Sequence, residues 1–84
     1  MPSVEIYSKD WCPYCSRAKR MLDMKKVPYT EYDIEQRPEL REEMIQRAGG
    51  RTTVPQIFID GKHVGGCDDL MALEQAGKDR KSVV

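Results

Sequence analysis

The 84-residue chain carries 14 basic and 14 acidic side chains, so no net charge draws it to nucleic acid or to an anionic membrane surface. Its residues are 39% apolar and 33% charged, the balance of one compact domain over 1–84, near the size at which a single core becomes self-supporting. No apolar run approaches the ~18 residues of a membrane span, and the opening MPSVEIYSKD lacks the charged and apolar regions of an export signal, so the expected compartment is the reducing cytoplasm.

Residues 3–7 (SVEIY) alternate, with Val4 and Ile6 on one face, and predict a first strand. After a loop over 8–11, residues 13–25 predict a helix. Cys15, Ala18, Met21 and Leu22 fall on one stripe, while Arg17, Lys19 and Arg20 point elsewhere. Pro13 fits the first helical position, where its missing N–H costs nothing. Pro28 opens a second strand over 29–34. Pro38 then begins a second helix reaching Ala48, with Leu40, Met44, Ile45 and Ala48 as its apolar face and Gly49-Gly50 as its stop. Residues 57–59 (IFI) read as a third strand. Asp60-Gly61 is a pair favoured in two-residue type I′ hairpins, and it returns the chain as a fourth strand over 62–64. Gly65-Gly66 breaks that strand. Asp68 and Asp69 sit where acids favour the start of a third helix, whose Leu70, Leu73 and Ala76 face inward. The closing KDRKSVV reads as a frayed tail. The order β-α-β-α-β-β-α predicts an α/β fold, a four-stranded mixed sheet flanked by three helices, with a parallel first pair and an antiparallel last pair.

Three cysteines is an odd count, with Cys12 and Cys15 close together and Cys67 far downstream, unlike a secreted disulfide framework. Cys12-Pro13-Tyr14-Cys15 can be half a zinc site, a structural pair or a redox pair. Structural zinc needs four ligands, and the other soft candidates are Cys67 and His63, with no second Cys-x-x-Cys and no spaced histidine pair. Redox use fits the residues better. Cys12 falls at the helix N-cap, where unpaired N–H groups and the positive end of the helix dipole favour a thiolate, and Lys9, Arg17 and Lys19 add positive charge. Cys15 lies one turn in, on the apolar stripe. The expected pair is an exposed nucleophile, Cys12, and a sheltered thiol, Cys15, that displaces the substrate from the mixed disulfide.

Two further segments could hold a ligand. Pro55 in Thr53-Val54-Pro55 makes Val54 extended just ahead of the third strand. A cis Val54–Pro55 bond would leave the Val54 N–H and C=O facing outward to pair with an extended peptide; an ordinary trans proline is the other reading. In Gly65-Gly66-Cys67-Asp68-Asp69, the glycines admit a ligand backbone, the helix N-terminus suits a carboxylate, and Asp68 suits an ammonium. A glycine turn with an acidic cap explains the same residues. Cys67 reads as a small buried residue, His63 as a solvated side chain, and Trp11 as half-buried packing. Arg17, Lys19, Arg20, Lys25 and Lys26 read as a solvated helix face.

CPYC, TVP and GGCDD, in this order, resemble the glutaredoxin family, over nearly the whole chain from VEIYSKDWCPYC through RTTVPQIFIDGKHVGGCDDL. The similarity is greatest to its small bacterial type-3-like dithiol members. The resemblance implies a thioredoxin-like fold and a glutathione-dependent thiol–disulfide oxidoreductase acting on protein disulfides and protein–glutathione mixed disulfides. It implies Cys12 as nucleophile and Cys15 as resolving thiol. It places Lys9 and Tyr14 beside bound glutathione, with Lys9 near the glycine carboxylate and Arg41 reaching the same group. Thr53, Val54 and Pro55 become a cis-proline segment in which Val54 pairs with the cysteinyl backbone, and Gly66, Cys67 and Asp68 receive the γ-glutamyl end. Glutathione is then a co-substrate, with no tightly bound cofactor and no metal. The implied partners are disulfide-containing or glutathionylated proteins, ribonucleotide reductase among them, and the implied state is a monomer. Two departures stand out: Gly49-Gly50-Arg51 reads as one residue longer than in near relatives, which bears on the register of Arg41, and the short polar end docks the third helix less fully. Two other functions remain in view. One is a redoxin reduced by thioredoxin reductase, against which the glutathione-fitting residues weigh. The other is an iron–sulfur carrier joining two chains through Cys12 and glutathione, against which Pro13 weighs.

Overall fold

The computed structural model describes residues 3–76; the predicted tail and the side chain of Ala76 lie outside the described residues. The elements are β1 (Val4–Ser8), α1 (Pro13–Met24), β2 (Tyr29–Asp33), α2 (Pro38–Arg47), β3 (Gln56–Ile59), β4 (Lys62–Gly65) and α3 (Cys67–Ala76). The sheet order is β2-β1-β3-β4, with β1 parallel to β2, antiparallel to β3, and β3 antiparallel to β4. This is the predicted mixed sheet with three helices. The first strand begins one residue later than expected because Ser3 is drawn to the hairpin. Its N–H donates to Asp60 Oδ1 at 2.8 Å, and its carbonyl accepts from the Asp60 N–H at 2.7 Å. Asp60 and Gly61 both have positive φ, 52° and 80°, as a type I′ turn requires.

Side chains alternate across the sheet and build a core on each face. Val4, Ile6 and Ile57 pack with Ala18 and Leu22 of α1 and Leu70 of α3. On the other face, Tyr7 and Phe58 pack with Ile34 and with Met44 and Ala48 at the α2 end. Leu73, expected inside, is exposed. Leu70 and Glu74 share the stripe of α3 that faces α1, where Glu74 pairs with Lys25, and Leu73 falls on the flank beside Ile59 and Val64. Lys25 and Lys19 are therefore ion-paired rather than merely solvated. Among the described residues no helix is long and apolar enough to cross a membrane.

Two carboxylates tie the sheet to helices, one from the inner strand β1 and one from the edge strand β2. Arg47 of α2 forks onto Glu5 at 3.0 and 3.2 Å and lies 4.1 Å above the Phe58 ring. Lys19 of α1 meets Glu31 at 2.8 Å, and the buried Ser8 hydroxyl donates to the same carboxylate at 2.6 Å. Arg47 holds Glu5, and Lys19 holds Glu31, below the ordinary carboxylate range. A carboxylate depressed in the folded state stabilises it above the unfolded pKa, about 4.3 for Glu, and loses that contribution as pH falls through the folded value. The contribution of these two carboxylates to stability is therefore expected to be level near neutrality and to decline below about pH 4.5. Glu5→Gln should lower stability to denaturant at pH 7 and flatten the acid decline. An acid limb identical to that of the parent would remove Glu5 from this role.

Candidate active site

The N-terminus of α1 makes its two sulfurs unequal. Cys12 is the N-cap, with φ −112° and ψ 105°, and Pro13 follows at the first helical position. The Cys15 N–H, an amide without a helical acceptor, donates to Cys12 Sγ at 3.2 Å. A thiolate accepts such a bond better than a thiol does, so this arrangement suits a nucleophile. Cys15 points into the core at 1% exposure. Burial first, and then the Cys12 sulfur beside it, push the Cys15 thiol up to about 12. Cys12, Cys15 and Cys67 are all free cysteines.

Cys12 is less exposed than predicted, at 7%, because its Sγ sits under the Val54 carbonyl, 3.9 Å away. Trp11 departs in the opposite direction. It is 99% exposed, since the chain takes a left-handed turn there (φ 58°) and throws the indole outward instead of into packing. Cys12 thus lies beside a projecting aromatic ring.

The Val54–Pro55 bond is cis. Among the described residues nothing pairs with the Val54 N–H, which leaves an edge open to an extended chain. Thr53 and Val54 form a ridge between two hollows. One, of about 620 Å³, is lined by Cys12, Lys9 and Arg41 together with Trp11 and Thr52. The other, of about 270 Å³, is lined by Tyr14, Pro55, Gly66, Cys67 and Asp68. Of the eleven site residues that the family resemblance implies, all but the buried Cys15 line these two adjoining hollows, which share Thr53 and Val54 and together make a groove. Lys9 and Arg41 stand at one end and the start of α3 at the other. Cys67 is 3% exposed, and burial pushes its thiol up. Asp68 is exposed at the lip.

At the far end Asp69 is the acidic cap expected at the start of α3, and its partner Arg51 is the residue that the sequence did not announce. Asp69 Oδ2 accepts from the Gly66 N–H at 2.8 Å, half of a capping box, and from Arg51 at 3.2 Å. The Gly66 amide, first of the α3 terminus, is thus already bonded within the chain. That amide and then Arg51 hold Asp69 below the usual carboxylate range. The available sequence signal was the position of Asp69 three residues after the N-cap Gly66. Gly65 makes room for this pair: at φ +123°, a Cβ there would meet Asp69 Oδ2 at 2.3 Å and Arg51 Nη1 at 2.9 Å. Gly65→Ala is expected to destabilise the fold by about 1–3 kcal/mol, read by chemical denaturation. Parental stability would show that the pair and the backbone shift without cost.

Comparisons with known proteins agree on one family. The profile described as Glutaredoxin matches residues 4–64. Glutaredoxin 3 of Escherichia coli is 58% identical over 77 residues, covering 92% of each chain. Glutaredoxin of Pseudomonas aeruginosa is 58% identical over 78 residues, covering 93% of this chain and 92% of the relative. Among solved structures, a buckwheat glutaredoxin–glutathione complex superimposes with a TM-score of 0.82 at 35% identity, covering 92% of this chain and 72% of the other. The solution structure of glutaredoxin from Brucella melitensis gives 0.77 at 55% identity, covering 93% and 84%.

Proposed function

The chain belongs to the glutaredoxin family, has a thioredoxin-like fold and is a thiol–disulfide oxidoreductase; on that premise we propose that it works with glutathione, reducing protein–glutathione mixed disulfides and protein disulfides. The observation that carries the proposal is the groove. Glutathione is an extended tripeptide with a carboxylate at each end and one ammonium. Lys9 and Arg41 suit the glycine carboxylate, the free Val54 edge suits the cysteinyl backbone, and Gly66, Cys67 and Asp68 suit the γ-glutamyl end. Thr53, Pro55 and Tyr14 line the path between them, with Cys12 at its middle.

In deglutathionylation, the Cys12 thiolate attacks the glutathionyl sulfur. The bond to the substrate protein breaks, and that protein leaves as a thiol after taking up a proton. A second glutathione thiolate then attacks the Cys12–glutathione disulfide, releasing oxidised glutathione and restoring Cys12. With a protein disulfide, Cys12 forms the mixed disulfide and Cys15 attacks Cys12, freeing the reduced protein. Two glutathiones then reduce the Cys12–Cys15 bond. No tightly bound cofactor enters this cycle. The proposal extends to a monomeric single domain over 1–84 in the cytoplasm, with disulfide-containing proteins such as ribonucleotide reductase as substrates by family resemblance.

The donor decides it. With a glutathionylated peptide as substrate and NADPH oxidation as readout, turnover is expected with glutathione and glutathione reductase. Turnover with thioredoxin reductase alone, and none with glutathione, would overturn the proposal.

A further inference from the structure

Gln56 is a polar side chain with no exposed surface, at the head of β3. By alternation it shares the face of Phe58, which packs in the α2-side core. Its amide is used at both ends. Nε2 donates to the Thr53 carbonyl at 2.9 Å and to Thr53 Oγ1 at 3.2 Å, while Oε1 lies 2.6 Å from His63 Nε2.

These contacts fix two things that are otherwise ambiguous. The Thr53 carbonyl can only accept, so the amide nitrogen must face it and the amide oxygen must face the imidazole. His63 Nε2 therefore carries a hydrogen. Burial first, and then the nearby Arg51 cation, hold the His63 ring below its usual pKa, which keeps it neutral near pH 7. His63 itself is pinned across the β3–β4 register opposite Phe58, with ring centroids 5.0 Å apart. An exposed histidine expected to be merely solvated thus anchors a buried amide.

The consequence reaches the groove through one peptide plane. The Thr53 carbonyl and the Val54 N–H belong to the same unit, which is trans and rigid, so they point in opposite directions. Holding the carbonyl toward Gln56 aims the Val54 N–H away from it. We propose that His63 and Gln56 are positioning residues, a hydrogen-bonded chain from β4 through β3 to Thr53 that sets the direction of the Val54 N–H for an extended peptidyl thiol. This rests on the glutathione reading above.

The test uses two variants and two readouts. His63→Phe keeps a ring against Phe58 and removes the donor, and its exposed site spares the core. Gln56→Leu keeps the volume and removes the amide. Each is expected to raise KM for a glutathionylated peptide roughly 3- to 10-fold, the loss of about one hydrogen bond, with kcat held within about twofold. His63→Gln, which restores a donor, should recover part of the loss. Independently of any substrate, ¹⁵N NMR of the His63 ring should show the Nε2–H tautomer. An Nδ1–H tautomer, or a parental KM in folded His63→Phe, would overturn the proposal. If the parent protein shows no turnover with glutathione, the proposed function fails, and the tautomer still decides whether the chain exists.

Discussion

Replacing Cys12 with serine is expected to abolish every reaction of this protein, with a loss of at least ~10³-fold in both deglutathionylation and protein-disulfide reduction. A serine hydroxyl is hardly ionised near neutrality, so the N-cap would keep its geometry and lose its attacking anion. Neither remaining cysteine is placed to substitute. Cys15 and Cys67 are buried, and burial raises both thiols. The fold should survive, because serine is a good N-cap and can accept the same Cys15 N–H. Initial rates with a glutathionylated peptide, beside a far-ultraviolet circular dichroism spectrum, make the comparison. Activity retained within tenfold would take the nucleophile away from Cys12.

Cys15→Ser should split the two activities. Reduction of a protein disulfide is expected to fall at least ~100-fold, because no second thiol can release the trapped substrate. Deglutathionylation should stay within about threefold, since a second glutathione performs that release. The raised Cys15 thiol supports this order of events. Burial, and then the Cys12 sulfur, oppose its ionisation, so in the free protein Cys15 is the thiol of the pair and not the attacking group. Rates on a glutathionylated peptide and on a disulfide-bonded protein, measured with the same preparation, separate the steps. Equal losses on both would show that Cys15 acts on something other than the protein mixed disulfide.

Much of the scaffold was legible because the signals were local. Pro13 and Pro38 mark helix starts, Asp60-Gly61 names its turn, and Val4 with Ile6 declares one face of the sheet. CPYC, TVP and GGCDD pointed to one groove across more than 50 residues of chain, and the fold brings them together. What stayed hidden depends on register and backbone angle. Trp11 projects outward because of one positive φ, which its residue type does not announce. Gln56 meets His63 because the hairpin sets them side by side, and a bulge at Val64 adjusts the pairing, with Ile57 opposite Gly65 and Phe58 opposite His63. A polar residue on the same alternating face as Phe58 was the clue to a buried amide. Arg51 and Asp69, 18 residues apart, meet only once α3 has docked.

The most direct measurement is where glutathione attaches. Cys15→Ser protein, equilibrated with oxidised glutathione and digested for mass spectrometry, should carry a single glutathionyl group, on Cys12, removable by reduced glutathione. Attachment at Cys67 with Cys12 left free, or no attachment at all, would contradict the assignment of Cys12 as the sulfur that meets glutathione in this groove.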